Sequence, residues 1–451
     1  MSRSRAVILA AGKGTRMKSA RPKVLHELCG RPMLWYVVRA LRDAGVDELL
    51  VVANAEVAES VSSIAGDAGH ATVDVVIQDP QLGTGHAVQV ALAKLPARSG
   101  TLLVLNGDLP LIEAALIERA IAARNGALAL VTAKMPLPSE LGRIVRRGDR
   151  VVKIVEARDA SADELALDEM NAGLYVYDEA KLRSVLAELG NANAQGEFYL
   201  TDTVDRLVRD GDRVVPVPAD SFLSVLGVND RSELATAASL LNYRLCERHM
   251  CNGVTIVDPA TTYLEPDLEI AADVTILPNT TIGRRSKIGA HSEIGPNSRL
   301  SAAEIGEHVV IVDSIIVDST LGDFVHVGPW AHVRGGSVVD TGVTLGDYVE
   351  VKASHLGAGV NARHLAYIGD ATIGERTNIG AGTITCNYDG KEKHRTKIGK
   401  DAFIGTNTSI VAPLEIGDGA LTGAGSVVVR DVPSGGRVAG NPAKPLPGKD
   451  V

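Results

Sequence analysis

The chain has 451 residues, 45% of them hydrophobic but only 3% aromatic, with 46 glycines. That length supports two or three domains, and cores of Val, Ile, Leu and Ala with frequent Gly suit α/β units or a tightly wound β solenoid. A net charge of −9 argues against broad nucleic-acid binding, so a phosphate ligand has to be held by local cations.

Cys29, Cys246, Cys251 and Cys386 are too scattered for a disulfide framework and fit a reducing cytoplasm. The first apolar stretch is too short for a signal peptide or a membrane span, so a soluble, cytoplasmic protein with no membrane insertion is expected.

In chain order, Ala6–Leu9 predicts a first strand, and Leu9-Ala-Ala-Gly-Lys-Gly-Thr-Arg-Met17 follows it directly. A strand breaking into a Gly-rich, basic loop presents backbone N–H groups and fixed cations together, which suits a nucleoside triphosphate. Gly12-x-Gly14 lacks the third glycine of a dinucleotide fingerprint, and no G-x-x-x-x-G-K-[ST] follows. Arg16 and Lys23 are candidate phosphate ligands.

Further apolar runs at Leu49–Ala53, Val73–Ile77, Leu102–Leu105, Leu128–Ala133 and Val214–Pro218 predict strands. Amphipathic segments such as Met33–Ala44 and Ile112–Arg124 lie between them. The alternation predicts a mostly parallel sheet covered on both faces, with ligands at the C-terminal strand ends. Asp108 follows such a strand in Leu102-Leu-Val-Leu-Asn-Gly-Asp-Leu-Pro110 and is the best candidate for Mg²⁺.

Residues 1–229 read as the first domain, and the Gly- and Pro-lacking stretch 230–250 as a connecting helix. On a helix, Cys246 and His249 with Cys251 do not converge on a metal.

Over 251–451 the period changes. Branched apolar residues recur every sixth position, as in Ile276, Ile282, Ile288, Ile294, Leu300, and again in Ile398, Ile404, Ile410, Ile416. Many are followed by Gly, which predicts a hexapeptide-repeat parallel β-helix with apolar residues inward and small residues turning the corners. Phase slips over 301–320 and 353–397 read as insertions, notably Cys386–Lys397. A zinc site would need three converging histidines, but His326 and His332 fall on successive faces, and no third ligand keeps step with His308 and His326. His364 is a candidate general base beside the insertion, and Glu350 a candidate to orient it.

Several blocks carry a family resemblance over essentially the whole chain: Leu9–Met17, Pro22-Lys-Val-Leu-His26, Gln81-Leu-Gly-Thr-Gly-His86, Asn193-Ala-Gln-Gly-Glu-Phe-Tyr-Leu-Thr-Asp202 and Glu375–Gly390. The chain resembles the bifunctional N-acetylglucosamine-1-phosphate uridyltransferase/glucosamine-1-phosphate N-acetyltransferase family. The resemblance implies a Rossmann-like α/β nucleotidyltransferase domain with a mostly parallel sheet, followed by a left-handed parallel β-helix. It further implies the synthesis of UDP-N-acetylglucosamine, a precursor for peptidoglycan and lipopolysaccharide, by a homotrimer using UTP, acetyl-CoA, glucosamine 1-phosphate and N-acetylglucosamine 1-phosphate.

Carried over by position, Leu9, Ala10, Ala11 and Gly12 would line the nucleotide, with Arg16 and Lys23 on phosphate. Gln78, Gly83 and Thr84 would read the uracil, and Gly142, Glu156 and Asn171 would grip N-acetylglucosamine. Asp108 and Asn229 would hold Mg²⁺, with Asn106 and Gly107 beside them. In the second half, Arg334 and Lys352 would bind the sugar phosphate, and Tyr367 and Asn378 the sugar. Asn387 and Tyr388 would sit near the thioester, with Ala381, Thr406 and Ala424 along coenzyme A.

Three departures stand out. Gly-Gly follows Arg334 in place of Pro-Gly, Thr406 replaces a common Ser, and Val438–Pro445 lacks an Arg that contacts coenzyme A in some members. A competing reading is a sugar-1-phosphate nucleotidylyltransferase whose β-helix is only an oligomerisation scaffold.

Overall fold

A computed structural model describes residues 4–70 and 72–446, so the ends of the two expected domain ranges, 1–3 and 447–451, lie outside the described residues. The chain divides after Leu241 into two compact units.

In the first unit every strand expected from an apolar run forms: Arg5–Ala10, Glu48–Ala53, Val73–Ile77, Thr101–Asn106, Leu128–Lys134 and Val214–Pro218. They lie in one sheet, in which Arg5–Ala10 sits between Thr101–Asn106 and Glu48–Ala53, parallel to both. Val7, Leu50, Val104, Leu128 and Tyr177 are buried in its core. Parallel strands end on the same edge of a sheet, so the loops after Ala10 and Asn106 emerge side by side there.

The sequence pattern did not reveal Glu169–Asp178, a strand antiparallel to both neighbours at the middle of the sheet. Asn171-Ala-Gly173 interrupts its apolar run, and the pairing slips between Asn171 and Tyr175. The irregularity that hid the strand also takes Ala172 and Gly173, next to Asn171, out of the ladder. The hairpin Arg143–Arg147/Arg150–Val155 was likewise unforeseen.

Arg231–Cys251 forms the long helix expected there. Within the second unit, Asn242 Nδ2 donates to Thr262 O at 2.7 Å and Asn242 Oδ1 accepts from Leu264 N at 3.0 Å, fastening the helix to the first coil. Cys246 and His249 are buried packing residues of this helix.

The second unit is a stack of short parallel strands, running from Thr255–Ile256 to Arg437–Ala439 along one face. Ile276 pairs with Ile294, eighteen residues on, which is one full coil. All the inward Ile and Leu residues of the two series quoted above are buried. Each coil buries its apolar row only against the coils above and below it.

Two expectations about this unit need correction. The slip over 301–320 is a shortening, because Leu300 pairs with Ile316 and Ile305 with Leu321, sixteen residues on. The strands Arg299–Ile305 and Ile315–Leu321 run continuously round the corner where residues are missing. Added and deleted residues break a six-residue phase alike, so the pattern alone could not give the sign. Over 353–397 the coils first shorten, as Leu356 pairs with Ile373, and then one coil lengthens, as Ile373 pairs with Ile398, twenty-five residues on.

The second correction concerns the corners. Left-handed backbone recurs every sixth residue at Asp267, Asp273, Asn279, Arg285, His291 and Asn297, with φ between 50 and 64°. The glycines after the inward Ile serve close approach instead: a Cβ on Gly289 would lie 2.6 Å from the backbone of Gly306 in the next coil. Ring ladders grow along these corners, with His291, His308 and Phe324 stacked at 4.8 and 4.9 Å.

Truncating an inward residue leaves a cavity that stacked coils cannot close. Ile404→Ala is expected to cost about 2–5 kcal/mol, read as a lower urea midpoint for loss of β-helix protection in hydrogen exchange. A change below about 1 kcal/mol would contradict this packing.

Candidate functional site

In the first unit a cleft of about 470 Å³ opens where the strands Arg5–Ala10 and Thr101–Asn106 end. Leu9, Ala10, Ala11, Gly12 and Arg16 form one wall, and Gln78, Gly83 and Thr84 another. Gln81, whose role the sequence did not reveal, joins the walls by donating from Nε2 to Ala11 O at 2.6 Å.

Gln78 is buried, and its Nε2 donates to Gly83 O at 3.0 Å, which fixes the orientation of the amide. Gly83 has φ 104°, and a Cβ there would lie 2.7 Å from Phe198 O, so only glycine fits. Thr84 Oγ1 accepts from Leu200 N at 3.0 Å, which ties this wall to the segment around Phe198.

Lys23, Asn106, Asp108 and Asn229 complete the cleft. The Lys23 ammonium is bonded to the Asp108 carboxylate and lies 3.2 Å from Asn229 Oδ1. A carboxylate and an amide oxygen thus converge on one cation, the oxygen donor set that a hard divalent metal takes. Val228 N donates to Asp108 O at 3.0 Å, and Asn229 N to Glu233 Oε2 at 2.6 Å, so the main chain at both donors is fixed. Gly107 stands behind the wall, its N–H donating to Leu9 O at 2.9 Å. Arg16 makes an exposed ion pair with Glu140, a contact weak enough to exchange for a phosphate.

Gly142, Glu156 and Asn171 form a second cluster. Asn171 N donates to Gly142 O at 2.9 Å, and the Glu156 carboxylate faces the position a Gly142 Cβ would take, at 3.5 Å. Asn171 Nδ2 donates to Tyr175 OH at 2.6 Å. The cluster meets the cleft at Asn106, whose amide lies against Gly173. Burial pushes the Glu156 carboxyl upward, a hydroxyl donated by Thr201 at 2.9 Å opposes this, and the Asp202 and Asp159 carboxylates add to it.

In the second unit, Arg334 pairs in register with Lys352, and Lys352 with Gly369. Lys352 Nζ lies 2.9 and 3.0 Å from the Asp370 carboxylate oxygens. Asn387 Nδ2 donates to the same carboxylate and lies 3.4 Å from Tyr367 OH. Arg334, Lys352, Tyr367 and Asn387 therefore come together, although the resemblance pairs Tyr367 with Asn378 and sets Asn387 near the thioester.

Lys393, which no motif singles out, joins them. Its ammonium is pushed below the usual lysine range first by the facing Lys352. Two ammonium groups face each other at a point suited to an anion. The cation-rich run Lys391-Glu-Lys-His-Arg-Thr-Lys397 inside the predicted insertion was the available signal. Tyr388 is exposed in the same loop, paired antiparallel with Lys393.

His364 lies on another face, at the end of the strand Asn361–His364. Asn378 pairs with Asn361 on that face, so it is separated from Tyr367. Ala381, Thr406 and Ala424 stack at one corner, where Asn407 N donates to Ala381 O and Gly425 N to Thr406 O, both at 2.7 Å. Glu350 does not orient His364: its carboxylate accepts from Arg334 Nε at 3.0 Å. The partner of His364 is Asp347, with Oδ1 2.5 Å from Nδ1. A step of three residues moves a side chain round the coil, whereas the register sets Asp347 directly beside His364.

Residues 6–191 match the MobA-like NTP transferase domain family, 259–354 the GMPPB C-terminal domain family, and 395–430 the bacterial transferase hexapeptide family. The chain is 44% identical to the "Bifunctional protein GlmU" of Trichlorobacter lovleyi, covering 96% of this chain and 95% of that protein. The proteins of the same name from Clostridium perfringens and Streptococcus uberis are each 45% identical, over 95% of this chain and 94% and 93% of theirs. The chain belongs to the bifunctional GlmU family. It is a two-activity transferase, joining a uridyltransferase to an acetyltransferase.

Because the folded state keeps a proton on Glu156 above its ordinary value near 4.5, this group's contribution to stability falls as pH rises past that value. Glu156→Gln is therefore expected to raise the Tm of the first unit more at pH 8 than at pH 4 in scanning calorimetry. An equal gain at both pH values would contradict the burial penalty.

Proposed function

We propose that the first unit transfers uridylyl from UTP to N-acetylglucosamine 1-phosphate, and that the second acetylates glucosamine 1-phosphate from acetyl-CoA. The observation that carries this reading is the meeting of Asp108 and Asn229 on the Lys23 ammonium at the floor of the Gly-rich cleft. Leu9 to Gly12 would lie along the nucleotide, and Gln78, Gly83 and Thr84 would read the uracil edge through amide and backbone groups. Gly142, Glu156 and Asn171 would hold the sugar, with Gly107 fixing Asn106 and Asp108 behind it.

Lys23 and Arg16 neutralise phosphate charge while a sugar-phosphate oxygen attacks the α-phosphorus and pyrophosphate leaves. Mg²⁺, held by Asp108 and Asn229, would supply further neutralisation of the triphosphate. Lys23, which occupies that position here, would then be free to bind phosphate.

In the second unit, Arg334 and Lys352 would take the sugar phosphate, and Tyr367 and Asn378 the sugar. Ala381, Thr406 and Ala424 would form the coenzyme A ladder, with Asn387 and Tyr388 near the thioester. His364 would take the proton as the amine attacks the thioester carbonyl.

The protein is proposed to work as a homotrimer in the cytoplasm, where UTP and acetyl-CoA are available. No helix among the described residues is long and apolar enough to cross a membrane. Trp330, Tyr348 and Leu365 support self-association: each is more than half exposed, and the first two rings stack at 5.0 Å along one corner. His364 and the Arg334–Lys352 cluster flank that corner on diverging faces, so a second chain would close the pocket that one prism leaves open.

Asp108→Ala is expected to lower uridylyl transfer by at least about a hundredfold while sparing acetylation, and His364→Ala to do the reverse. Glucosamine 1-phosphate with acetyl-CoA reads acetylation, and N-acetylglucosamine 1-phosphate with UTP reads uridylyl transfer. Loss of both activities in either variant would overturn the two-site reading, acetylation unchanged by His364→Ala would remove His364 as the base, and a wild-type chain that does not acetylate would favour the scaffold. Tyr348→Lys is expected to shift the mass in light scattering toward the monomer, with acetylation falling and uridylyl transfer retained.

A further inference from the structure

We propose that Asp347 is a positioning residue for His364, and that the two form an acid–imidazole pair which decides the nitrogen that takes the proton from the amine. This rests on the reading of His364 as the base.

Asp347 and His364 close adjacent strands, Thr344–Asp347 and Asn361–His364, and are register partners on successive coils. Leu365 N donates to Asp347 O at 2.9 Å, so the backbone holds the two side chains on the same ledge. Asp347 Oδ1 then lies 2.5 Å from His364 Nδ1. Glu350, the other acid near in sequence, is engaged by Arg334 on the next face.

An ionised carboxylate can only accept, so Nδ1 carries the hydrogen and Nε2 keeps its lone pair. That is the tautomer a base needs. As the amine nitrogen bonds to the thioester carbonyl carbon, its proton passes to Nε2 and the ring becomes a cation facing Asp347. The C–S bond then breaks, and the proton leaves Nε2 for the coenzyme A thiolate, which restores the neutral imidazole. The carboxylate itself never takes the proton. It stabilises the imidazolium when it exists and fixes the ring when it does not.

The pair is half exposed in the single chain, with side-chain exposures of 59% for His364 and 35% for Asp347. An exposed ion pair contributes little to folding. Its removal should therefore be silent in stability and visible in catalysis. Tyr348 and Leu365, each next in sequence to a member of the pair, carry the apolar corner described above. A covered corner would dry the ledge and strengthen the contact.

The test uses the full-length chain. Asp347→Asn is expected to lower the acetyltransfer kcat by at least about tenfold with KM for both substrates little changed. Asp347→Glu is expected to recover part of that rate, and the uridylyl transfer rate should stay at the wild-type level in both. ¹⁵N chemical shifts of the His364 ring should report Nδ1–H in the wild-type chain and a mixture of tautomers in Asp347→Asn.

A wild-type kcat in Asp347→Asn together with an inactive His364→Ala would overturn the pairing while leaving the base in place. Undiminished acetylation in His364→Ala would instead remove the base reading itself. Should Asp347→Asn fold poorly, the wild-type ring shifts decide, and an Nε2–H tautomer there ends the proposal.

Discussion

A lysine resting on an aspartate is the contact on which both halves of this molecule turn. Lys23 sits on Asp108 at the floor of the first cleft, and Lys352 on Asp370 across the second unit's cluster. All four side chains are more than four-fifths buried. Unpaired charges at that depth would be costly. The pairing keeps them tolerable until a more strongly charged ligand arrives, so each site is assembled before its anion and does not have to be built by it.

The two pairs differ in what surrounds them. Around Lys23 the other partner is an amide oxygen, which suits a second cation in the lysine's place. Around Lys352 the other groups are cationic or amide donors: Arg334 on the coil before, Lys393 facing it, and Asn387 on the shared carboxylate. Burial alone would raise the Asp370 carboxyl, yet the donors on it hold it below its usual range. One site is thus arranged to exchange cations, the other to gather them. The lengthened coil makes the second arrangement possible by bringing Asn387 and Lys393 back over strands that a regular coil would have left bare.

Much of this was legible in the residues. Six strands were marked by short apolar runs, because the strands inside the sheet are covered on both faces and have nothing polar to alternate with. The six-residue period announced the β-helix, since every coil repeats the same inward position. The strand Glu169–Asp178 was hidden by the kink at Asn171, and the sign of the slip over 301–320 by the symmetry between a missing and an added residue. The partner of His364 was misjudged for a related reason: near in sequence, Glu350 is round the corner, while Asp347 is one full coil away and adjacent in space. Long-range neighbours in a solenoid follow coil length, and four different coil lengths occur here.

The corner residues extend that logic to the outside of the molecule. Asp267, Asp273, Asn279, Arg285, His291 and Asn297 all hold left-handed backbone, a conformation that Val, Ile and Thr resist. One position in six on this stretch of solvent-facing surface is thus selected for its main-chain tolerance and not for what its side chain touches. Drift there should be confined to a narrow alphabet, so that the outer skin of the coil is as restricted as its oily interior.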